Sequence, residues 1–212
     1  MSLRPLRIIR IISILLIFLL GGFYASTFVW IKSRDVADPV ETNPDQHVVT
    51  GTLPEFSLSD LYGNTRSISE WSGRPLIINF WATWCAPCRR EMPLLQALHL
   101  ERADDRLEVI GIAIDRLEAV DAFIAESGIT YPILAGQQNA MDIAEQFGAD
   151  FVALPFTVFT AKDGQILWLH LGELHLKQLR IILEIGDQVT SGELSTATAR
   201  ALIGSQLDAS TG

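Results

Sequence analysis

The two cysteines of this 212-residue chain, Cys85 and Cys88, follow shortly after an almost continuous apolar run, Leu76–Trp81. A run of this kind, without regular polar alternation, is typical of a central strand that helices cover on both faces. Residues 87–101 have helical spacing, with an apolar stripe formed by Met92, Leu95 and Leu98. The sequence therefore places the cysteine pair at the junction between a buried strand and a helix.

A helix start suits a reactive cysteine, because its unpaired N–H groups and the positive end of its dipole stabilise a thiolate. The thiolate is the nucleophilic form of sulfur, so lowering the thiol pKa activates the cysteine near neutral pH. Pro87 is compatible with the first helical turn, where a missing N–H costs no hydrogen bond. Cys88 is close enough to attack a mixed disulfide formed by Cys85. The spacing predicts thiol–disulfide exchange.

Two other interpretations of the pair are weaker. A structural disulfide across so short a loop would restrain the unfolded chain by only about 2 kcal/mol in the chain-entropy model. A zinc site would need further ligands. The chain has no third cysteine, and His99 lies eleven residues along the predicted helix, roughly 16 Å from Cys88 at the helical rise. We therefore expect no metal at the pair.

Residues 79–93 read Asn-Phe-Trp-Ala-Thr-Trp-Cys-Ala-Pro-Cys-Arg-Arg-Glu-Met-Pro and resemble the active-site stretch of the thioredoxin superfamily. More narrowly, they resemble the membrane-anchored TlpA/ResA-type thiol-disulfide oxidoreductases, which include the cytochrome c maturation branch. Pro93 matches the proline that kinks the active-site helix of the superfamily. Residues 153–159 resemble its cis-proline loop and the strand that follows. The resemblance covers about residues 53–186.

This resemblance implies an α/β fold, with a thioredoxin-like mixed sheet flanked by helices. An N-terminal β-hairpin, a central strand–helix insertion and a preceding transmembrane helix complete the expected architecture. In the implied mechanism Cys85 attacks a target disulfide and Cys88 resolves the mixed disulfide. The bond before Pro155 is expected to be cis. The residues expected to bind substrate, through an apolar rim and exposed backbone groups, are Trp84, Pro87, Leu154 and Pro155.

Asn79 departs from thioredoxin itself, where the matching residue is a buried aspartate that helps to move protons during exchange. An asparagine cannot titrate, so the sequence leaves the proton-transfer group unassigned. TlpA-like proteins often have asparagine at this position, which agrees with the narrower resemblance. We expect Asn79 to be a core amide satisfied by hydrogen bonds.

The remaining elements follow from periodicity and turn signals. Strands are predicted at residues 55–58, 65–68, 107–114, 131–134, 156–160 and 165–171. Asp115 and Asn139 are expected to cap two intervening helices, which end at Gly128 and Gly148. A last amphipathic helix carries Leu176 and is expected to end at Gly186.

The N-terminus contains an uncharged stretch of 21 residues, 11–31, preceded by Arg4, Arg7 and Arg10. A helix of this length spans the hydrocarbon core of a bilayer. The arginines predict that its N-terminal end is in the cytoplasm and the rest of the chain is outside. The resemblance implies that the membrane is a bacterial inner membrane and that the domain is in the periplasm. A cleaved signal peptide would have a shorter apolar region and a clearer cleavage site, so we favour an uncleaved single-pass anchor.

The sequence thus divides into an anchor at residues 1–34, a polar linker at 35–52, a thioredoxin-like domain at 53–186 and a tail at 187–212. The linker contains Pro39 and Pro44 and shows no periodicity. The tail is rich in Ser, Thr, Ala and Gly, with a weak helical stretch near residues 193–202, and we expect it to be loosely ordered.

All 25 acidic residues lie at or after Asp35, so nucleic acid is an unfavourable partner for this part of the chain. No cofactor is expected besides a redox-active Cys85–Cys88 disulfide. The resemblance implies protein disulfide substrates, with apocytochrome c as the leading candidate. It also implies a membrane thiol-transfer protein as electron donor, and the predicted anchor implies a membrane contact.

Two alternatives to a disulfide reductase remain open. Residues 53–56 resemble the opening of the peroxiredoxins, but a peroxidase needs a threonine three residues before its reactive cysteine, where this chain has Ala82. A non-catalytic tethered chaperone or copper carrier is the other alternative. Copper carriers of this fold typically have three residues between their two cysteines and use a distant histidine, whereas only two residues separate Cys85 from Cys88, so this alternative fits poorly.

Overall fold

The computed structural model describes residues 51–102, 107–148 and 153–211. The helices that we label are α1 (Ala86–Glu101), α2 (Leu117–Ser127), α3 (Gln138–Glu145), α4 (Leu176–Ser191) and α5 (Thr196–Thr211). A short 3-10 helix covers Ile68–Trp71. The strands are β1 (Ser57–Asp60), β2 (Thr65–Ser67), β3 (Leu76–Trp81), β4 (Glu108–Ile114), β5 (Ile133–Gly136), β6 (Phe156–Thr160) and β7 (Ile166–Leu171).

The seven strands form one mixed sheet in the order β2-β1-β5-β4-β3-β6-β7. Strand β3 lies inside this sheet, parallel to β4 and antiparallel to β6. The predicted N-terminal hairpin is present as the antiparallel pair β1–β2, and β5 with α3 forms the predicted insertion. The thioredoxin-like α/β fold is therefore confirmed for the described part of the chain.

Strand β3 is buried at every residue because the sheet has a core on both faces. Ile77 and Trp81 belong to the cluster that contains both cysteines and the apolar face of α1. Ile78 and Phe80 point the other way, and Phe80 stacks on Phe156 of β6 with ring centroids 4.2 Å apart. This two-sided burial explains why the strand has no alternating polar pattern in the sequence.

Two predicted helix caps are wrong. Arg116, and not Asp115, is the N-cap of α2, and Gln137, and not Asn139, is the N-cap of α3. Asp115 instead accepts hydrogen bonds from Thr83, in the loop after β3. The carboxylate of Asp115 therefore bonds the loop after β3 instead of capping α2. A local sequence pattern cannot show a contact of this kind.

The expected loosely ordered tail at residues 187–212 is also wrong for the residues described. Helix α4 continues through Gly186, where a Cβ atom would meet Leu167 at an ordinary 3.7 Å, and ends at Gly192. Gly192 has a φ of 84°, a left-handed conformation that favours glycine as a helix terminator. Helix α5 then packs on the core through Ala199, Ile203 and Leu207.

Helix α5 also covers the outer edge of the sheet. The guanidinium of Arg200 donates two hydrogen bonds, of 2.8 and 2.6 Å, to the carbonyl oxygen of Ile166 in β7. Strand β7 is an edge strand, because β6 is its only neighbour in the seven-stranded order. The two bonds from Arg200 occupy a backbone acceptor on this edge strand. Helix α5 is therefore part of the folded domain.

In the stretches that the structure covers, residues 51–102, 107–148 and 153–211, no helix is long and apolar enough to cross a bilayer. The predicted anchor at 1–34, and the predicted linker up to residue 50, lie outside these residues.

Ile203→Ala should destabilise the protein by roughly 3 kcal/mol, because the side chain is fully buried and its removal leaves a cavity. Leu202→Ala is the matched control on the same helix, where the side chain is 36% exposed and the cost should be below about 1 kcal/mol. Denaturant unfolding of both variants measures the difference. Equal stabilities would show that α5 does not contribute to the core.

Candidate active site

The cysteine pair sits at the start of α1, directly after the loop that leaves β3. Cys85 is the N-cap residue, and its Sγ accepts a hydrogen bond of 3.3 Å from the N–H of Cys88. Pro87 occupies the second helical position, where its missing N–H leaves no bond unmade. The sulfur of Cys85 therefore lies among the free amides of the helix start, as the sequence predicted.

The two cysteines form a disulfide, with their Cα atoms 5.3 Å apart. Cys88 is completely buried, whereas Cys85 retains 5% exposure. The preceding Trp84 is 69% exposed, a large fraction for an indole side chain. This geometry gives an external reactant access to Cys85 before Cys88 and places an exposed indole next to Cys85 in the chain.

The peptide bond between Leu154 and Pro155 is cis, which confirms the prediction made from the sequence. Strand β6 begins immediately afterwards, and its Phe156 is paired with Phe80 of β3. Because the two strands are antiparallel, Leu154 and Pro155 lie beside the chain that leaves β3 towards Cys85. Leu154 packs against the cluster that contains both cysteines. The register of β3 and β6 thus places Leu154 and Pro155 on the strand next to the one that leads to the cysteine pair.

A buried carboxylate, Glu91, lies one helical turn beyond Cys88 on α1. It is 2% exposed and accepts two short hydrogen bonds, from the Nδ2 atom of Asn79 at 2.7 Å and from the N–H of Leu174 at 2.6 Å. Residues three apart on a helix share a face, so Glu91 and Cys88 point into the same side of the core.

Burial raises the pKa of Glu91 from its ordinary value of 4.5 to about 7. Loss of water is the largest cause, because it disfavours the charged form. The hydrogen bonds from Leu174 and Asn79 oppose this effect, and the nearby charge of Glu173 adds to it. A carboxyl group with a pKa near 7 can take up or release a proton at physiological pH.

Asn79 is fully buried, and its amide group bridges two elements. Besides Glu91, its Nδ2 atom donates to the hydroxyl of Thr157 in β6 at 3.0 Å. Its Oδ1 atom has no hydrogen-bond partner among the described residues. The expected satisfied core amide is therefore only half correct, since Asn79 is the donor that holds the titratable group.

A second carboxylate supports the loop that carries Trp84 and Cys85. Asp115, at the end of β4, accepts hydrogen bonds from the N–H and hydroxyl of Thr83 at 3.1 and 2.5 Å. Partial burial would raise the pKa of Asp115, but these bonds and that from the Arg116 N–H outweigh it and lower the pKa. Asp115 therefore stays ionised and fixes the loop.

Sequence reasoning missed Glu91 and the true role of Asp115. A usable signal existed for Glu91, because it stands on the same helix face as Cys88 and Leu95, inside the apolar stripe. A lone acid in such a stripe indicates a buried carboxylate. No comparable signal identified Leu174, whose contribution is a backbone N–H.

The chain matches the model of the AhpC/TSA family over residues 49–169. Among curated proteins, it is 33% identical to the thioredoxin-like protein YneN of Bacillus subtilis over 138 residues, which cover 62% of this chain and 76% of the relative. It is 30% identical to the thiol-disulfide oxidoreductase ResA of Geobacillus kaustophilus over 137 residues, or 64% of this chain and 76% of the relative.

Among solved structures, the chain is similar to a secreted thiol-disulfide isomerase from Corynebacterium glutamicum, with a TM-score of 0.56 and 25% identity. The match covers 63% of this chain and 84% of that structure. A thiol-disulfide oxidoreductase from Bacteroides fragilis has the same TM-score at 24% identity, over 63% of this chain and 98% of that structure. At 24% identity, the likeness to the Bacteroides fragilis structure shows a shared fold only.

Glu91→Gln should remove a pH dependence of stability. Because the pKa of Glu91 is about 7 in the folded protein and near 4.5 in the unfolded chain, the folded state binds the extra proton between these values. The stability contributed by protonation is complete below pH 4.5 and is lost as the pH rises through 7. The stability advantage of the wild type over the variant should therefore shrink by about 3 kcal/mol across this window.

Denaturant unfolding at several pH values measures this advantage, and the exposed Glu118→Gln provides the control. A difference between wild type and Glu91→Gln that stays constant from pH 4.5 to 7 would show that the pKa of Glu91 is not raised.

Proposed function

The chain belongs to the AhpC/TSA family of thioredoxin-like proteins and is a thiol-disulfide oxidoreductase, and we propose that it reduces protein disulfides outside the cytoplasm while tethered to the membrane. The observation that carries this proposal is the Cys85–Cys88 disulfide at the start of α1, with the buried carboxyl of Glu91 one turn behind it. This arrangement supplies a nucleophile, a resolving thiol and a base.

In the first step, the reduced protein attacks with the thiolate of Cys85. The Cys85 sulfur forms a bond to one sulfur of the target disulfide, the target disulfide breaks, and the other target sulfur leaves as a thiolate that takes a proton from water. The helix start stabilises the attacking thiolate. The product is a mixed disulfide between protein and target.

In the second step, the Cys88 thiol gives its proton to the Glu91 carboxylate. The resulting thiolate attacks the Cys85 sulfur, the mixed disulfide breaks, and the second target sulfur leaves and is protonated. Two electrons have then passed from the Cys85–Cys88 dithiol to the target, and the protein has become the disulfide form. A base beside Cys88 is needed because a fully buried thiol ionises poorly.

The substrate-binding roles of Trp84, Pro87, Leu154 and Pro155 are part of this proposal. The exposed indole of Trp84 offers an apolar contact next to Cys85. Leu154 precedes the cis bond and is partly exposed, so its backbone can pair with an extended target segment.

The direction of electron flow is proposed from the two residues between the cysteines. Ala86 and Pro87 carry neither charge nor imidazole, so they give no extra stabilisation to the Cys85 thiolate. A dithiol whose reduced form is less stabilised has a lower reduction potential and acts as a reductant. A membrane thiol-transfer protein would supply its electrons, and disulfides of apocytochrome c are the leading substrate class.

A peroxidase remains the nearest competitor, because the family description does not by itself separate peroxide from disulfide substrates. Two features favour disulfides, namely the disulfide between closely spaced cysteines and Ala82 at the position where a peroxidase needs threonine. The similarity to a relative named thiol-disulfide oxidoreductase ResA also favours disulfide substrates. A protein that reduces insulin but does not consume hydrogen peroxide would satisfy the proposal.

Cys88→Ser should accumulate covalent complexes with target proteins, because attack by Cys85 remains possible and release does not. Cys85→Ser is the matched control and should trap far less, since Cys88 is fully buried. The measurement is non-reducing electrophoresis of the cell envelope, with and without reductant, followed by mass spectrometry. Equal trapping by both variants would contradict the assignment of nucleophile and resolving thiol.

The uncharged stretch at residues 11–31 should hold the full-length chain in the membrane. After carbonate extraction of membranes, the intact protein should remain in the pellet, and protease added to spheroplasts should degrade the cysteine-bearing domain. Release of a chain shortened by about 25 residues, the length typical of a cleaved signal peptide, would contradict the anchor.

A further inference from the structure

Two consecutive residues of α1 contact two consecutive residues after β7. The Nε atom of Arg90 donates to the carboxylate of Glu173 at 2.9 and 3.1 Å, and its Nη2 atom makes a further contact with the same group. One residue further along each chain, the carboxylate of Glu91 accepts from the N–H of Leu174 at 2.6 Å. We call residues 172–175 the 172–175 segment.

The 172–175 segment connects the cis-proline region to the helix that carries the cysteines. Gly172 has a φ of 86° and donates its N–H to the carbonyl oxygen of Pro155 at 2.9 Å. The carbonyl oxygen of Glu173 lies 3.3 Å from the Nε2 atom of His170. The side chain of Leu174 is buried at 1% exposure. Small displacements of this segment would therefore move the amide that bonds Glu91.

We propose that Arg90 and Glu173 are positioning residues, whose ion pair holds the 172–175 segment against α1 and keeps the Leu174 amide on the Glu91 carboxylate. The inference rests on the proposed role of Glu91 as the base for Cys88. Neither partner of the ion pair needs to touch a target protein or a reacting sulfur.

The charges of the pair also act on Glu91. The negative charge of Glu173 raises the pKa of Glu91, and the guanidinium of Arg90 lies directly on that charge. The hydrogen bond from Arg90 lowers the pKa of Glu173, so this carboxyl is ionised when Glu91 titrates.

Three other titratable groups interact with Glu91 or with its neighbour Glu173. His170, on β7, is buried, and burial lowers its pKa, so it is neutral near pH 7. Tyr131, before β5, is buried, and burial raises its pKa, so it is neutral as well. His175, the last residue of the segment, is exposed. Arg90 and Glu173 are therefore charged neighbours of Glu91 whose effect can be tested by substitution.

Arg90→Gln should raise the pKa of Glu91, because it leaves the charge of Glu173 uncompensated and frees the Leu174 amide. Both partners are partly exposed, at 59% and 22% of their side chains, so the effect should be modest. We expect an upward shift of about half a pH unit and an exchange of the Leu174 amide hydrogen about fivefold faster. Arg90→Lys keeps the charge and should recover most of both properties.

The experiment is NMR on the oxidised full-length protein in detergent micelles, following the side-chain carboxyl carbon of Glu91 and hydrogen exchange at Leu174. Arg89→Gln is the matched control, because Arg89 is the adjacent arginine and is exposed. A change in Arg90→Gln that Arg89→Gln lacks supports the proposal. Equal effects of the two variants would overturn it, because loss of any nearby positive charge would then explain the shift.

The pH dependence of target release, measured in the same variants, separates this inference from the proposed function. If the pKa of Glu91 moves in Arg90→Gln and the pH midpoint of release moves with it, both stand. If the pKa moves and the midpoint does not, the positioning role stands and Glu91 is not the base. If neither the Leu174 amide nor the pKa changes, the positioning role is wrong.

Discussion

A carboxylate removed from water must find hydrogen-bond donors inside the protein, and the site depends on how Glu91 meets this requirement. One donor comes from Asn79 in the centre of the sheet, and the other is the backbone N–H of Leu174 after β7. Two short bonds do not fully replace solvation, so the pKa remains raised to about 7. The same three-way contact fixes α1 against the sheet and against the 172–175 segment.

In the proposed mechanism, access of the target and proton transfer occur at different places. Cys85 lies at the helix start beside the exposed Trp84, whereas Cys88 and Glu91 face the core behind it. In thioredoxin itself the matching titratable group is an aspartate on the strand, at the position of Asn79. Here the strand residue is a donor and the acid stands on the helix, one turn from the thiol that must lose its proton. In this chain the strand therefore provides the amide donor and the neighbouring helix provides the carboxyl group.

The fold and the cysteine chemistry could be predicted from the sequence because both depend on local signals. An apolar run, a cysteine pair and a proline at a helix start identify β3 and α1 without any knowledge of distant contacts. Glu91 was overlooked although its place in an apolar stripe was visible. Asp115 was misassigned because its hydrogen-bond donor, Thr83, is 32 residues away in sequence and comes close to it only in the folded chain. Only a weak helical stretch was predicted where helix α5 lies, because small and polar residues obscure the helical spacing of Ala199, Ile203 and Leu207.

The central claim is that the Glu91 carboxylate takes the proton of Cys88 during release of the target. Single-turnover reaction of the reduced protein with a disulfide peptide at pH 8 resolves formation of the mixed disulfide from its release. In Glu91→Gln the first step should keep its wild-type rate and the second should slow by about 100-fold. A second step as fast as in the wild type would contradict the account.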